Sequence, residues 1–322
     1  MAATANSGRS PKWQHIAVQR IEDLSDAVRG AGLEAMQMST GPLSGSLVFS
    51  EHADVTYSSG LVHSRVELTG PLSQDFVTVG AGLRFLSGCS HWLADVESGS
   101  IGVFHAGDEH HALYTPGALY ATATLSIERL EEEAANEELV LDRNVLGGTG
   151  IFRRRLTAGI NRTLTGMFEQ AHADRAVGNK AGPILLGTII EILGRPPVDH
   201  FRHRQTNGHA RVVEKARSYI VEHLGEPISL DMIAAAACTS RRTLQRAFAD
   251  VLDDTPQSYV RRLRLHRIRH DLANDVEKAC TIAIIANEWG ISELGRLSGW
   301  YRELFGEPPS ETLARTRNRI MH

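Results

Sequence analysis

One short segment brings together the side chains that are best suited to reading bases in DNA. Arginine forms paired hydrogen bonds with guanine, and glutamine forms them with adenine. The segment contains Arg241, Arg242, Gln245 and Arg246. If it forms a helix, apolar Leu244 and Phe248 mark its buried side, and the four polar residues lie on the free side. The alternative interpretation is an arginine-rich helix face that contacts only water.

A second set of chemically capable residues is a group of histidines in the first half of the chain. They are His63, His91, His105, His110 and His111. Two or three histidines and a glutamate can bind a metal ion for oxygenase chemistry, and Glu109 precedes His110. Adjacent residues of a strand point to opposite faces, however, so His110 and His111 cannot share one metal ion unless the chain bends. We therefore expect no metal and no other cofactor, and we interpret these histidines as core or solvated side chains.

The elements that must position these residues differ between the two halves of the chain. From Leu33 to about Ile127, short apolar or alternating runs stand between clusters of Gly, Pro, Ser and Thr, which is typical of an antiparallel barrel or sandwich. Helical spacing of apolar residues returns at about Glu128. After residue 210 the sequence has no strand signals. The pattern predicts an α+β protein of two domains, the first β-rich and followed by helices, the second all-α.

Composition also sets the expected domain boundaries. They are 1–15 for a flexible tail, 16–193 for the first domain, 194–210 for a linker and 211–322 for the second domain. The linker is predicted because two prolines and two glycines stand there among polar residues. Within the first domain we expect a short helix from Ile16 to Gly30 and a helical segment over 150–193.

The second domain contains an internal repeat. Ile233 recurs as Ile285, 52 residues further on, and beyond the following turn the offset is 53. Each copy reads as a short helix, a tight turn and a second helix with a polar face, at about 229–252 and 281–305. This order is typical of a helix-turn-helix, whose second helix fits the major groove of DNA. Two copies joined by an arginine-rich helix favour DNA binding over a merely solvated helix face.

The same region resembles the AraC/XylS family of bacterial transcription regulators. The resemblance rests on IAAAACTSRRTLQRAFADVLDDTPQSYVRRLRL in the first copy and IANEWGISELGRLSGWYRELFGEPPSETL in the second, and it covers Arg211 to about Arg317. It implies that the two copies place their second helices in successive major grooves on one face of DNA. It also implies double-stranded promoter DNA and RNA polymerase as partners, and activation rather than repression.

The residues expected to contact bases are identified by their positions in the second helix of each copy. In the first copy the resemblance implies base contacts by Arg242, Gln245 and Arg246, and Arg241 lies beside them. The second copy departs from the family, because Gly299 stands where many relatives have a base-reading arginine. We therefore expect less specific base reading in the second copy, by Ser292, Glu293 and Arg296.

The residues expected to contact phosphate lie around the same helices. They are Ser240, Arg261, Arg262 and Arg302. Ser240 and Ser292 are also expected to cap the two second helices, because a serine oxygen accepts hydrogen bonds from free backbone N–H groups. The arginines of the joining helix that do not contact phosphate are expected to pair with Asp271 or Glu288.

The first half resembles, mainly in texture and position, the cupin-like effector-binding domain of the same family. A small-molecule effector pocket there is expected to mix apolar walls with a few polar groups. The candidates are Arg65, Arg84, Trp92, His105 and Tyr114. Helical segment 150–193 stands where relatives form dimers. Its apolar residues, such as Ile160 and Ile189, are predicted to contact either the β-rich domain or a second copy, and we expect a homodimer.

Overall composition excludes several classes of protein. Of 322 residues, 42% are hydrophobic and 22% are charged, which is ordinary for a globular protein and excludes a disordered chain or collagen. The longest apolar stretch, Pro183 to Leu193, is too short to cross a membrane. The N-terminus lacks the apolar core of a secretion signal, and the three cysteines have no CxxC spacing. We therefore expect a cytoplasmic protein with no membrane partner.

Three functions fit these observations. The first is a sequence-specific transcription regulator with an effector-binding domain, and the second is a metal-dependent cupin-type enzyme fused to a DNA-binding module. The third is an architectural DNA protein. Residues 1–208 carry 17 Lys and Arg against 23 Asp and Glu, which argues against the third because such proteins need positive charge. We predict the first function and no enzymatic activity.

Overall fold

The chain consists of two compact units. The computed structural model describes residues 13–141, 145, 147–173, 180–195, 200–201, 208–274 and 281–319. Unit 1 comprises Met1–Ala35 and Leu43–Gln205, and unit 2 comprises Met36–Pro42 and Thr206–His322. No helix in the described ranges is both long and apolar enough to cross a membrane.

Unit 1 is built on two antiparallel sheets, which confirms the predicted β-rich first domain. The strands are β1 Gln14–Val18, β2 Glu34–Gln37, β3 Gly45–His52, β4 Val55–Val62, β5 Val66–Pro71, β6 Val77–Arg84, β7 Ser90–His91, β8 Ala94–Asp95, β9 Ser100–Phe104, β10 Glu109–Tyr114, β11 Ala118–Leu125, β12 Gly150–Arg155 and β13 His200–Phe201. Over the described residues, the larger sheet has the order β1-β3-β4-β11-β6-β9-β12-β13, and the smaller has β2-β5-β10-β7-β8.

The central strand β11 shows why the larger sheet is buried on both faces. All eight of its residues are buried. Leu119 and Ala121 belong to the apolar cluster that the larger sheet forms with the helices of unit 1. Tyr120, between them, belongs to the cluster formed by residues of both sheets. Because successive strand residues point to opposite faces, one short apolar run contributes to both cores.

Among the described residues of unit 1, three helices cover one face of the larger sheet: α1 Ile127–Asn136, α2 Ala158–His172 and α3 Ala181–Leu193. Leu164, Leu185 and Ile189 are buried in that cluster, whereas Ile160 stays exposed. These apolar faces were expected to contact either the β-rich domain or a second copy of the chain. Most of their apolar residues are buried against the β-rich domain.

Several boundaries expected for the first domain are corrected. The flexible tail was expected to reach residue 15, but Trp13 is buried in the core and β1 begins at Gln14. The expected helix from Ile16 to Gly30 is a strand followed by a 3-10 helix, Ile21–Asp26. The expected helical segment 150–193 begins with β12, which pairs with β9. Strand pairing with residues far away in sequence overrides the local helical spacing.

The predicted linker 194–210 is described only in part. Residues 196–199 and 202–207 lie outside the described residues. His200 and Phe201 form β13, which pairs with β12. The division between the two compact units falls between Gln205 and Thr206, inside the predicted linker.

The described part of unit 2 contains seven helices, the number predicted. They are α4 Gly208–Glu222, α5 Leu230–Ala236, α6 Arg241–Leu252, α7 Pro256–Asn274, α8 Ile282–Glu288, α9 Leu294–Phe305 and α10 Pro309–Arg319. Helix α7 is central: Tyr259 contacts Phe248 of α6 edge to face at 5.7 Å, and Leu265 and Ile268 join the apolar cluster of α8 and α9.

Unit 2 also contains a segment from near the start of the chain, Met36–Pro42. The side-chain amide of Gln37 donates to the carbonyl of Leu304 at 2.9 Å, and the Gly41 N–H donates to the carbonyl of Glu303 at 3.0 Å. Both carbonyls belong to the last turn of α9, whose C=O groups have no partner within the helix. No sequence pattern indicated these contacts.

Candidate nucleic-acid interface

The two predicted helix-turn-helix copies have the same backbone plan. In the first, α5 and α6 are separated by Cys238 at φ 52°, and in the second, α8 and α9 are separated by Gly290 at φ 70°. Both second helices end at a left-handed residue, Asp253 and Gly306. These pairs lie 52 and 53 residues apart, so the sequence repeat is also a structural repeat.

Side-chain caps begin most of these helices. Ser229, Ser240 and Thr281 each accept a hydrogen bond from the backbone N–H three residues on. The exception is α9. We expected Ser292 to cap it, but the N-cap residue is Glu293, which makes no side-chain cap bond. The change of offset from 52 to 53 means that the second copy has one residue more than the first. The structure places this extra residue in the turn before α9, and α9 lacks the cap that α6 has.

Helix α6 has one buried face and one free face. Leu244, Ala247, Phe248 and Leu252 are buried. All four residues expected to read bases are exposed: Arg241, Arg242, Gln245 and Arg246. At about 100° per residue, Arg242 and Arg246 lie opposite the buried stripe, whereas Gln245 lies toward its edge. The free face is therefore available to a major groove over more than one helical turn.

Arg241 has a partner within the unit. Its guanidinium pairs with the carboxylate of Asp231 through two nitrogens, and both side chains are exposed. The hydrogen bond from Arg241 lowers the pKa of Asp231. This ion pair occupies the two guanidinium nitrogens of Arg241 that would otherwise form paired hydrogen bonds with guanine. Arg241 therefore fits a role at the margin of the interface better than one at its centre.

Helix α9 presents a weaker reading surface. Its buried residues are Leu297, Tyr301 and Leu304. The expected contacts Ser292, Glu293, Arg296 and Arg302 are all exposed. Arg296 pairs with Glu293 at 2.8 Å, so a carboxylate already neutralises the only arginine near the start of this helix, Leu294–Phe305.

Two glycines further weaken α9, which gives a prediction about stability. A methyl group at Gly299 would meet no atom within 4 Å. Gly299→Ala is therefore expected to stabilise unit 2 by about 1 kcal/mol, because glycine is a poor helix former. Urea unfolding followed by circular dichroism measures the change.

Gly290→Ala is the matched control for Gly299→Ala. It introduces the same methyl group where φ is +70°, 2.9 Å from the guanidinium carbon of Arg264. Gly290→Ala is expected to destabilise unit 2. Equal effects of the two substitutions would contradict the assignment of Gly299 to an open helix face.

The arginines of α7 have different environments. Arg261 is exposed and stacks on Trp300 at 5.2 Å, which leaves it available for a phosphate. Arg262 was expected to contact phosphate, but it forms a largely buried ion pair with Asp254. Its charge is already neutralised within the unit, so we withdraw it as a phosphate contact.

For two of the remaining arginines of α7, Arg264 and Arg269, the observed partners differ from the acidic partners predicted. Arg264 donates to the backbone carbonyls of Leu224, Glu226 and Gly290 at 3.1, 2.6 and 3.0 Å. Arg269 pairs with Glu307 at 2.9 Å. The predicted partner Asp271 accepts a hydrogen bond from the indole of Trp289 at 2.5 Å. These arginines hold the helix-turn-helix copies together, because they bind acceptors that lie far away in sequence.

Unit 1 contains a partly open cavity of about 40 Å³ between its sheets. Of the five expected effector contacts, only Tyr114 lines it. Trp92 stands behind the lining, 5.8 Å from the ring of Phe104. Arg84 instead pairs with Glu169 and with the Gly117 carbonyl, and His105 bonds the Val145 carbonyl at 3.3 Å. Arg65 is also outside the lining.

Two of the five histidines are core residues, as expected, and they line this cavity. His91 and His110 are buried, with ring centroids 5.0 Å apart. The next residue, His111, points away and pairs with Glu67 of β5. The expected opposite orientation of His110 and His111 is therefore observed. Among the described residues, no group of three His, Cys, Asp or Glu side chains is arranged to hold a metal ion.

Comparison with known proteins agrees with the repeat in unit 2. Residues 233–315 match the model of a helix-turn-helix domain family. The chain is 31% identical over 137 residues to a XylDLEGF operon transcriptional activator of Pseudomonas putida, covering 42% of this chain and 41% of that protein. It is 35% identical over 101 residues to XylDLEGF operon transcriptional activator 2 of the same organism, covering 31% of this chain and 64% of that protein.

A solved structure gives a match of similar extent. A transcriptional regulator with an AraC-type DNA-binding domain from Chromobacterium violaceum is 32% identical, with 34% of this chain and 95% of that chain covered and a TM-score of 0.31. The chain matches 41% of the length of the first Pseudomonas putida activator named above. The C-terminal part of this chain therefore carries a helix-turn-helix domain of the AraC/XylS family, as the resemblance predicted.

Proposed function

We propose that this protein is a sequence-specific DNA-binding transcription regulator, and an activator. The observation that carries the proposal is the pair of helix-turn-helix copies in unit 2. Each exposes one face of its second helix, α6 and α9, while its other face is buried. The relatives named as transcriptional activators support activation. We expect promoter DNA and RNA polymerase as partners, and the cytoplasm as the location.

Base reading is assigned mainly to α6. Arg242 and Arg246 lie opposite the buried stripe with Gln245 beside them, whereas α9 offers Arg296 already paired with Glu293. Arg261 and Arg302, both exposed, are assigned to phosphate, and the exposed Ser240 hydroxyl can contribute there. The first copy should therefore determine most of the sequence preference, and the second should add affinity that depends less on sequence.

Arg246→Ala tests this assignment. Selection from a random DNA library first gives the preferred sequence. The substitution is expected to reduce affinity for that sequence by about 5- to 150-fold, because one bidentate arginine–guanine contact contributes about 1–3 kcal/mol. Preference at one base pair should relax, while binding to random DNA should change little.

The matched control for Arg246→Ala is Arg162→Ala, which removes the same charge from an exposed position of α2 in unit 1. It should leave both affinities unchanged. An equal loss on specific and random DNA in Arg246→Ala would make Arg246 a phosphate contact rather than a base-reading residue.

Unit 1 is assigned the binding of a small-molecule effector and the formation of a homodimer. The cavity between the sheets supports the first role, because it is apolar and contains a few polar groups. Exposed Ile160 of α2 and Ile184 of α3 support the second. They lie on the outer sides of two helices whose other faces are buried in unit 1.

A further inference from the structure

The cavity of unit 1 has a distinctive lining. Six ring-bearing side chains line it: Phe85, His91, Phe104, His110, Tyr114 and Tyr120. Its volume of about 40 Å³ has room for about three water molecules. Among the described residues of the lining there is no Lys, Arg, Asp or Glu. The surface offered to a guest is therefore aromatic and uncharged.

Two polar atoms in this lining are unsatisfied. The Nδ1 atoms of His91 and His110 are buried without a hydrogen-bond partner. The residues themselves are 6% and 2% exposed. An unsatisfied buried nitrogen is costly, and two of them on neighbouring rings that line one cavity indicate a place for a hydrogen-bonding guest.

Both histidines are neutral at physiological pH. Burial, and then the nearby His111, lowers the pKa of His91 to about 3. Burial lowers the pKa of His110 well below its usual value in the same way. An anionic guest would be buried here without a cation, at a large desolvation cost. A purely hydrocarbon guest would leave both Nδ1 atoms unsatisfied.

Three glycines of the larger sheet, Gly80, Gly82 and Gly102, are part of the cavity lining. Tyr120 of β11 lies between Gly60 of β4 and Gly82 of β6 in the larger sheet. A methyl group on Gly102 of β9 would come within 2.8 Å of the ring of Phe104. The ring of Phe104 thus lies directly beside Gly102, and its centroid is 5.2 Å from that of His110. Phe104 fills the space that a ring-sized guest would need.

We propose that this cavity binds an uncharged, ring-sized molecule that carries a hydroxyl group. Its hydroxyl bonds an imidazole Nδ1 of the His91–His110 pair, and its ring takes the place of the Phe104 side chain beside Gly102. The proposal rests on the effector-binding role assigned to unit 1, and it specifies the chemical class of that effector. A neutral ligand with a hydroxyl group satisfies one of the two orphaned nitrogens without burying a charge.

Calorimetric titration of the full chain with phenol tests the proposal, with toluene and benzoate as comparison probes. Phenol is expected to bind with one site per chain, at least about 10-fold more tightly than toluene, because toluene leaves the imidazole nitrogen unsatisfied. Benzoate has the same ring with a charge and should not bind. Phe104→Ala removes the ring whose place phenol is proposed to take. It should therefore raise the affinity for phenol by about 10-fold or more.

Variants of the two histidines show whether they recognise the hydroxyl. His91→Phe and His110→Phe keep the ring and remove the nitrogen, and they should reduce the preference for phenol over toluene. His63→Phe, at an exposed position outside the lining, is the control and should bind like the parent chain. If the histidine variants do not fold, the phenol-to-toluene ratio in the parent chain and in Phe104→Ala is sufficient.

The outcomes separate this proposal from the function proposed for the whole protein. Equal binding of phenol and toluene, tight binding of benzoate, or no phenol binding even to Phe104→Ala would overturn the assigned ligand class. These titrations contain no DNA, so they do not depend on unit 2. DNA binding by the same preparations is measured separately. If the parent chain does not bind DNA, that result contradicts the proposed function but not the assigned ligand class.

Discussion

Insertion of about 5 bp between the two half-sites of the operator is expected to abolish tight binding by this protein. Helices α6 and α9 belong to one compact unit, in which α7 contacts both copies: Tyr259 contacts Phe248 of the first, and Arg261 stacks on Trp300 of the second. The two reading helices therefore cannot move independently. Half a helical turn places the second major groove on the far side of the duplex, about 17 Å further along the axis.

Gel-shift titrations on a series of operators measure this effect. Insertions of increasing length between the half-sites are compared with the same insertions placed outside them, which should have no effect. The affinity remaining after the internal insertion reports what the first copy achieves alone, together with non-specific phosphate binding. Unchanged affinity would mean that one copy alone reads DNA.

A fragment from His209 to His322 is expected to fold and to bind the operator sequence of the full chain, but about 10²- to 10⁴-fold more weakly. The loss follows from the dimer that we propose for unit 1, because joining two DNA-binding units makes the second binding event intramolecular. The helices of the fragment contain their own buried residues, among them Phe248, Tyr259 and Tyr301. The fragment should also be indifferent to any effector.

The fragment lacks the segment Met36–Pro42 of unit 2, and this omission has a calculable consequence. Leu304 and Glu303 lose hydrogen bonds to their carbonyl groups. Water can satisfy carbonyls at an opened helix end, so the net cost should be about 1 kcal/mol per bond. Partial loss of stability is therefore expected, not failure to fold.

Size measurement and binding titration of the fragment and the full chain test these expectations together. A fragment that binds as tightly as the full chain would contradict the dimerisation role of unit 1. A fragment that is unfolded would contradict the predicted boundary. The full chain with Ile160→Glu is a matched test of the dimer, because it places a charge on an apolar residue of α2 that is 37% exposed.

The sequence by itself determined most of unit 2. Its helices are specified locally, by caps such as Ser240 and Thr281 and by apolar residues at helical spacing. Because the buried stripe of α6 is visible in the order of its residues, the free face that carries Arg242 and Arg246 follows from the sequence as well. The sequence repeat predicted a turn in each copy. In the structure, each of these turns contains a left-handed residue, Cys238 in the first and Gly290 in the second.

Only the tertiary structure decided which arginines are free. Arg262 and Arg261 are neighbours in sequence and were both expected to contact phosphate. Arg262 is paired with Asp254, whereas Arg261 lies exposed on Trp300. Arg264 binds carbonyls of Leu224 and Gly290, at separations of 40 and 26 residues. Such partners come together only when the helices pack, so spacing along the chain cannot reveal them.

The cavity of unit 1 could not be predicted from the sequence, for the same reason. His91 and His110 stand on β7 and β10, which are neighbours because Ala112 pairs with His91. The glycines of the lining belong to strands of the larger sheet, and composition alone had suggested charged residues such as Arg84 instead. Antiparallel pairing fixes which residues face each other across strands. That register brings two imidazoles and three glycines of the larger sheet into the lining of one cavity, although each strand by itself has the sequence of an ordinary core strand.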